Sequence, residues 1–203
     1  SDEQKQLYNA MKQAAHTFYV GSADAESVSY STGTMDCCVA VDTGSQSLNK
    51  EDVVRAISMF RNDNPVYFFL GSSFLYSTDY DFWTGKSYID MVYLSCAENC
   101  TDGTERQAER KVLENQIVTV ETKVKAGETA LEKARIAHDW LVDTITYAYD
   151  ANGDPDNSMT SHSITGVFDA QYHTAVCEGY AKSFQLLMNA AGVSNFYIVG
   201  LGN

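Results

Sequence analysis

TAVCEGYAKSFQLLMNAAG, residues 174–192, is the stretch whose reading decides the fold. Val176, Tyr180, Phe184 and Met188 recur every four residues, one stripe of an α-helix. Thr174 is placed to cap its start, and Gly192 followed by Val193 to end it in a Schellman motif. Counted from that cap, Cys177 is the third helical residue. There it sits among unpaired backbone donors at the positive end of the helix, a setting that favours a thiolate. Its own backbone N–H is a candidate oxyanion donor. Gly179 reads as a missing side chain that opens the sulfur to a substrate. Glu178 and Lys182 form an i,i+4 pair that supports the helix, and Tyr180 and Phe184 read as the inward-packing face. The competing reading of Cys177 is a buried structural cysteine.

Working outward, residues 195–199 read as a buried strand after the helix. Upstream, Thr129 and Glu132 make a capping box. It opens a helix with Leu131, Ala134, His138, Leu141 and Ile145 on one face. Before it, Thr104 with Gln107 predicts another capped helix. Ala108, Val112, Ile117, Val120 and Val124 face inward along it, and Gly127 ends it. Between the second and third of these helices lies an acidic loop. Asp150, Asn152, Asp154 and Asp156 alternate like the opening of a calcium loop, but Pro155 stands where a glycine belongs and Ser161 where a glutamate is needed. A solvated loop is expected, with no metal and no cofactor. Of the histidines, His173 is nearest in sequence to Cys177, His162 follows in a Ser-His-Ser loop, His138 reads as a structural residue on an apolar face, and His16 as a surface one.

The first hundred residues read as a small α/β unit. Leu7, Tyr8, Met11, Ala14 and Ala15 have helical spacing. A second helix starts at Asn49, with Leu48 and Val53 as its hydrophobic staple. Val53, Val54, Ile57 and Phe60 form its apolar face, and Asp63-Asn64-Pro65 stops it. Strands are expected over 66–70, 74–76 and 88–94, with one or two more in 28–41. Gly71-Ser72-Ser73 and Thr84-Gly85-Lys86 read as the turns between them. The expected boundary falls near residue 101, giving an N-terminal domain over 1–100 and a second over 101–203.

The totals set limits. A chain of 203 residues is long enough for a sizeable core in one domain or two. No run of eighteen apolar residues is present to span a membrane. The net charge of −13 is spread along the chain, which argues against nucleic acid or anionic lipid as a partner. The five cysteines are odd in number. Cys37, Cys38, Cys96 and Cys100 either pair in an oxidising compartment, leaving Cys177, or are reduced small core residues. Their spacing does not suit a zinc site. Ser1 in place of a methionine fits a processed or trimmed chain.

The run Ala175 to Ala181, with Phe184, Leu186, Leu187 and Ala191-Gly192-Val193, resembles the cysteine helix of bacterial transglutaminase-like proteins. Ile136 to Val142 with Tyr147 resembles the helix that precedes it there. Ser161-His162 and Gly166-Val167-Phe168 resemble the connecting link, and Asn64 to Phe68 resembles a segment that often precedes this core. The resemblance spans roughly residues 101–203. It implies an α+β protein in which the helical first part of a papain-like core follows the N-terminal unit. It also implies a secreted or cell-surface bacterial thiol enzyme that acts on peptide or cell-wall amides through an acyl-enzyme at Cys177. In that family a histidine and then an aspartate follow on later strands. Neither is found by residue 203, so the chain reads as a fragment with little activity of its own. The alternative on the same fold is a non-catalytic surface binding or adhesion module.

Overall fold

The computed structural model describes residues 1–45 and 47–200. The architecture is α+β, with six α-helices, an antiparallel four-stranded sheet and a two-stranded parallel one among the described residues. The chain divides into two compact units, one of residues 1–61 and 69–108, the other of residues 62–68 and from 109 onward.

In the first unit, α1 (Asp2–Val20) opens with a Ser1–Gln4 capping box and buries Leu7, Met11 and Ala15, as its periodicity predicts. The sheet runs in the order β1 (Glu26–Tyr30), β2 (Gly33–Asp42), β4 (Lys86–Cys96), β3 (Leu70–Asp81), every neighbour antiparallel. α2 (Lys50–Asp63) buries Val53, Ala56, Ile57 and Phe60. Val54 belongs to its outer side, and Ala56 takes its expected place. Phe18 packs on Phe69 at 5.0 Å and Tyr8 on Phe60 at 5.9 Å.

Two strand expectations change here. Residues 66–69 form turns, and β3 starts only at Leu70. Gly71-Ser72-Ser73 is no turn but part of that strand, where the pairing with β4 shifts register. A Cβ on Gly71 would collide with the Ser95 side chain, whose Oγ bonds the backbone of Ser73, so this glycine leaves room for that contact.

In the second unit, α3 (Gly103–Lys125) supplies the buried Leu113, Val120 and Val124; its first residues belong to the other unit. Its cap is Asp102, whose Oδ1 accepts from Thr104 and Glu105 N–H at 2.8 and 2.9 Å, and not the expected Thr104. Ala108 and Val112 point outward, which moves the inner face one position along to Leu113. α4 (Ala130–Thr144) begins with the predicted Thr129–Glu132 capping box. Its buried residues are Ala137 and Leu141, whereas Leu131 and His138 are exposed. β5 (Thr146–Tyr147) pairs in parallel with β6 (Thr174–Ala175), with the short α5 (Thr165–Phe168) between them in sequence. Phe168 is fully buried and stacks on Trp140 at 5.6 Å. α6 (Cys177–Ala190) ends as predicted: Gly192 has φ +72°, and Val193 N–H reaches Met188 O at 2.9 Å.

The strand expected over 195–199 does not form. The segment is irregular, with Phe196, Ile198 and Val199 exposed, and it pairs with no strand among the described residues. An apolar alternation makes a strand only where a neighbour supplies the hydrogen bonds.

Candidate active site

Cys177 is the first residue of α6, not the third. Thr174 is held in β6, and Val176 takes the cap position with extended backbone and no side-chain hydrogen bond. The N–H groups of the first turn are therefore not capped by a side chain of Val176. The thiol is exposed. Two backbone contacts set its place. Val176 N–H donates to Ser161 O at 3.0 Å, and the pairing of Thr146 with Thr174 sets the end of α4 beside the start of α6.

Gly179 has a different role from the one its smallness suggested. A Cβ there would meet Ser161 O, Ala175 Cβ at 2.9 Å and Ser163 O at 3.3 Å. The missing side chain lets the 161–163 segment lie against α6. Polar contacts hold the same segment. Glu178 accepts from Lys182 Nζ at 2.7 Å and faces His162 Nδ1 at 2.7 Å, while Lys182 also donates to His162 O at 3.2 Å. Burial alone would raise the Glu178 carboxyl; the hydrogen bond and charge of Lys182, then those of His162, outweigh it and hold it below its ordinary value.

Cys177 stands on the wall of an open groove of about 720 Å³. Tyr180, Ala181, Phe184 and Gln185 continue that wall along α6; His138, Leu141, Val142 and Tyr147 form another side; residues 195–198 form a third. Tyr180 and Phe184 are therefore groove residues and not core. Tyr180 Oη donates to Ile145 O at 2.6 Å, and its ring stacks on Tyr147 at 6.5 Å. The inward face of α6 is instead Gly179, Ser183 and Leu187. Burial pushes the Tyr197 phenol up, with Glu178 and Cys177 adding to it, and the ring lines the same groove as Cys177.

No described histidine is arranged to take a proton from the sulfur. Both nitrogens of His162 face acceptors, Glu178 Oε2 and Asp156 O at 3.1 Å. His173 lies before β6 with φ +48°, and its Nε2 is buried without a hydrogen-bond partner. His16 is exposed on α1. His138 shares the groove, with Nδ1 3.0 Å from Asp139. However, α4 and α6 run antiparallel: Lys133 Nζ reaches Ala191 O at 3.1 Å at one end, and Tyr180 meets Ile145 at the other. That sets His138 about two and a half turns, roughly 14 Å, along α6 from the sulfur.

In the acidic loop the Asp150 carboxylate accepts from Asn152 and Asp154 N–H at 2.8 and 3.0 Å, and those backbone bonds hold it below its ordinary value. Its oxygens organise a turn around Gly153, whose φ is +86°. No cluster of three metal-ligating side chains occurs among the described residues.

The sequence pointed to Cys177 and to the Glu178–Lys182 pair. It singled out His162 in its Ser-His-Ser loop but not the contact with Glu178, sixteen residues on, nor the part that Tyr147 and Tyr197 play in the groove.

Residues 118–203 match the family model of the transglutaminase-like superfamily. The match takes in α4, the linking loop and α6 with Cys177. No curated protein and no solved structure gives a match.

Proposed function

We propose that the second unit is a thiol acyl-transfer domain in which Cys177 attacks an amide carbonyl and holds the acyl group as a thioester. The observation that carries this reading is the exposed thiol at the first position of α6, beside the helix's first-turn N–H groups and on the wall of an apolar groove. In such a place a developing oxyanion finds donors. The match over residues 118–203 supports the same chemistry. The substrate is a peptide or cell-wall amide, released to water or to an amine, and the setting is the outside of a bacterial cell. With no histidine beside the sulfur among the described residues, the 203-residue chain turns over little by itself.

Two measurements test this. An activated thioester mixed with the purified chain should leave one acyl group, mapped to Cys177 and lost in Cys177→Ala. Iodoacetamide should modify Cys177 faster than it modifies a free thiol such as glutathione. No acyl-enzyme, together with ordinary alkylation, would sink the thiol-enzyme reading. Turnover of a peptide amide that disappears in Cys177→Ala would instead sink the claim of low intrinsic activity.

One observation favours the second reading, a binding module. Phe82 and Trp83, at the β3–β4 turn, are 88% and 98% exposed. Asp81 holds that turn through Trp83 N–H at 2.8 Å and Thr84 Oγ1 at 2.6 Å. A fixed turn that displays two aromatic rings is a ready anchor for a partner. Loss of cell-surface or peptidoglycan binding in Phe82→Ser/Trp83→Ser, with Cys177 acylation unchanged, would assign that role to the first unit.

A further inference from the structure

The first unit holds a second sulfur centre, independent of Cys177. β2 and β4 lose register between Cys37, opposite Ser95, and Val39, opposite Leu94. Cys38 is the extra residue of that bulge. It is buried, and its Sγ reaches Ser95 O at 3.2 Å and Leu94 O at 3.6 Å. The residue after Ser95 is Cys96, less buried than Cys38, so the Cys38 sulfur rests against the carbonyl that leads into Cys96, and each thiol perturbs the other's titration.

Close to this pair is an unusual cation. Arg106 is 1% exposed, and among the described residues its guanidinium donates only to carbonyls: Cys100 O at 3.0 Å, Ala23 O at 2.6 Å and Gly21 O at 3.2 Å, with the Phe18 ring 3.6 Å away. The ion pairs of the described residues include no carboxylate on Arg106. A buried charge calls for a counter-charge. The Arg106 charge bears on the Cys96 thiol. The hydrogen bond from Cys38 comes first; burial opposes it; the charge of Arg106 adds to it; together they hold Cys96 below its ordinary value. Cys38 goes the other way, driven up mainly by burial. The two thiols are unlike in access as well: Cys96 is only partly buried and suited to attack, and Cys38 is buried and suited to wait.

We propose that Cys38 and Cys96 are a thiol pair that a low-molecular-weight disulfide oxidises to an intramolecular disulfide across β2 and β4. The Cys96 thiolate attacks one sulfur of the oxidant, the oxidant's S–S bond breaks, and the first thiolate leaves and takes up a proton. Cys38 then loses its proton and attacks Cys96 Sγ of the mixed disulfide, expelling the second thiolate. Two protein thiols are oxidised and one external disulfide is reduced to two thiols. Cys37, whose Sγ is 3.2 Å from Val39 O, and Cys100, 3.7 Å from Asn99 Oδ1, remain reduced.

The test uses the whole chain carrying Cys177→Ser, reduced and then treated with oxidised glutathione. Peptide mapping without reductant should show a product lighter by two hydrogen atoms and one Cys38–Cys96 link. In Cys38→Ser the reaction should stop with glutathione on Cys96; in Cys96→Ser, Cys38 should stay a free thiol. A link from Cys96 to Cys37 or Cys100, or Cys38 and Cys96 both free while the circular dichroism stays native, would overturn the proposal. So would a stable glutathione adduct on Cys38 with Cys96 unmodified.

Discussion

Gly179→Ala separates two accounts of the same residue. If Gly179 only opens a path to the sulfur, alanine should stabilise the helix by up to about 1 kcal/mol, the usual difference between the two residues. The structure gives the opposite sign. The new methyl would meet the Ala175 side chain at 2.9 Å and two carbonyl oxygens, one of them Ser161 O, which already accepts from Val176 N–H. Backbone cannot swing aside as a flexible side chain does. Overpacking of this kind costs about 1–3 kcal/mol, and the helix gain offsets part of it. A net loss of about 1–2 kcal/mol follows, equal to roughly 2–8 °C in Tm for a chain of this length. Urea unfolding followed by Trp140 fluorescence reads it. Trp140 stacks on Phe168 inside the second unit, while Trp83 is already in solvent and changes little. An equal or higher midpoint, with slower alkylation of Cys177, would refute the packing argument and restore the access one.

Three further outcomes are expected. Tyr180→Phe removes the 2.6 Å bond to Ile145 O and should cost about 1 kcal/mol in the same urea assay. The Glu178 carboxyl titrates below its unfolded value, so its contribution is complete above the ordinary glutamate range and is lost as pH falls through the lowered value; Glu178→Gln should flatten the acid limb of stability against pH. Glu109 is the reverse case. Burial first, then the charge and hydrogen bond of Asp169, raise its carboxyl, so ionising it destabilises the fold as pH rises through that raised value; Glu109→Gln should stabilise the chain at neutral pH and change little at pH 4.

What was legible in the sequence was local. The Thr129–Glu132 capping box, the Schellman end at Gly192 and the buried stripe of α1 each depend on residues within one or two turns. What was missed depends on partners distant in sequence. Gly71 and Gly179 looked like a turn and an opening, but each is fixed by a segment distant in sequence, the Ser95 side chain at Gly71 and the 161–163 backbone at Gly179. Thr174 looked like a cap until its pairing with Thr146 claimed it for a strand. The face of α4 was misjudged because the helical pattern continued through Leu131 and His138, which no neighbour covers. At the site, the nucleophile candidate was visible from its helix position. The groove was not, since it takes α4, α6 and the 195–198 segment together.

The parallel pairing of Thr146 with Thr174 also bears on the order of folding. A hairpin closes over a few residues, but this two-stranded junction must first bring together positions separated by a long loop. The entropy of that closure is roughly 3 kcal/mol before any constant term. Helices such as α4 need no such closure and form from neighbours in sequence. In pulse-labelled hydrogen exchange during refolding, amides within α4 should become protected before those of Thr146, Ala148 and Val176, whose acceptors are His173, Ala175 and Ser161. The setting of Cys177 would then be among the last parts of the second unit to assemble.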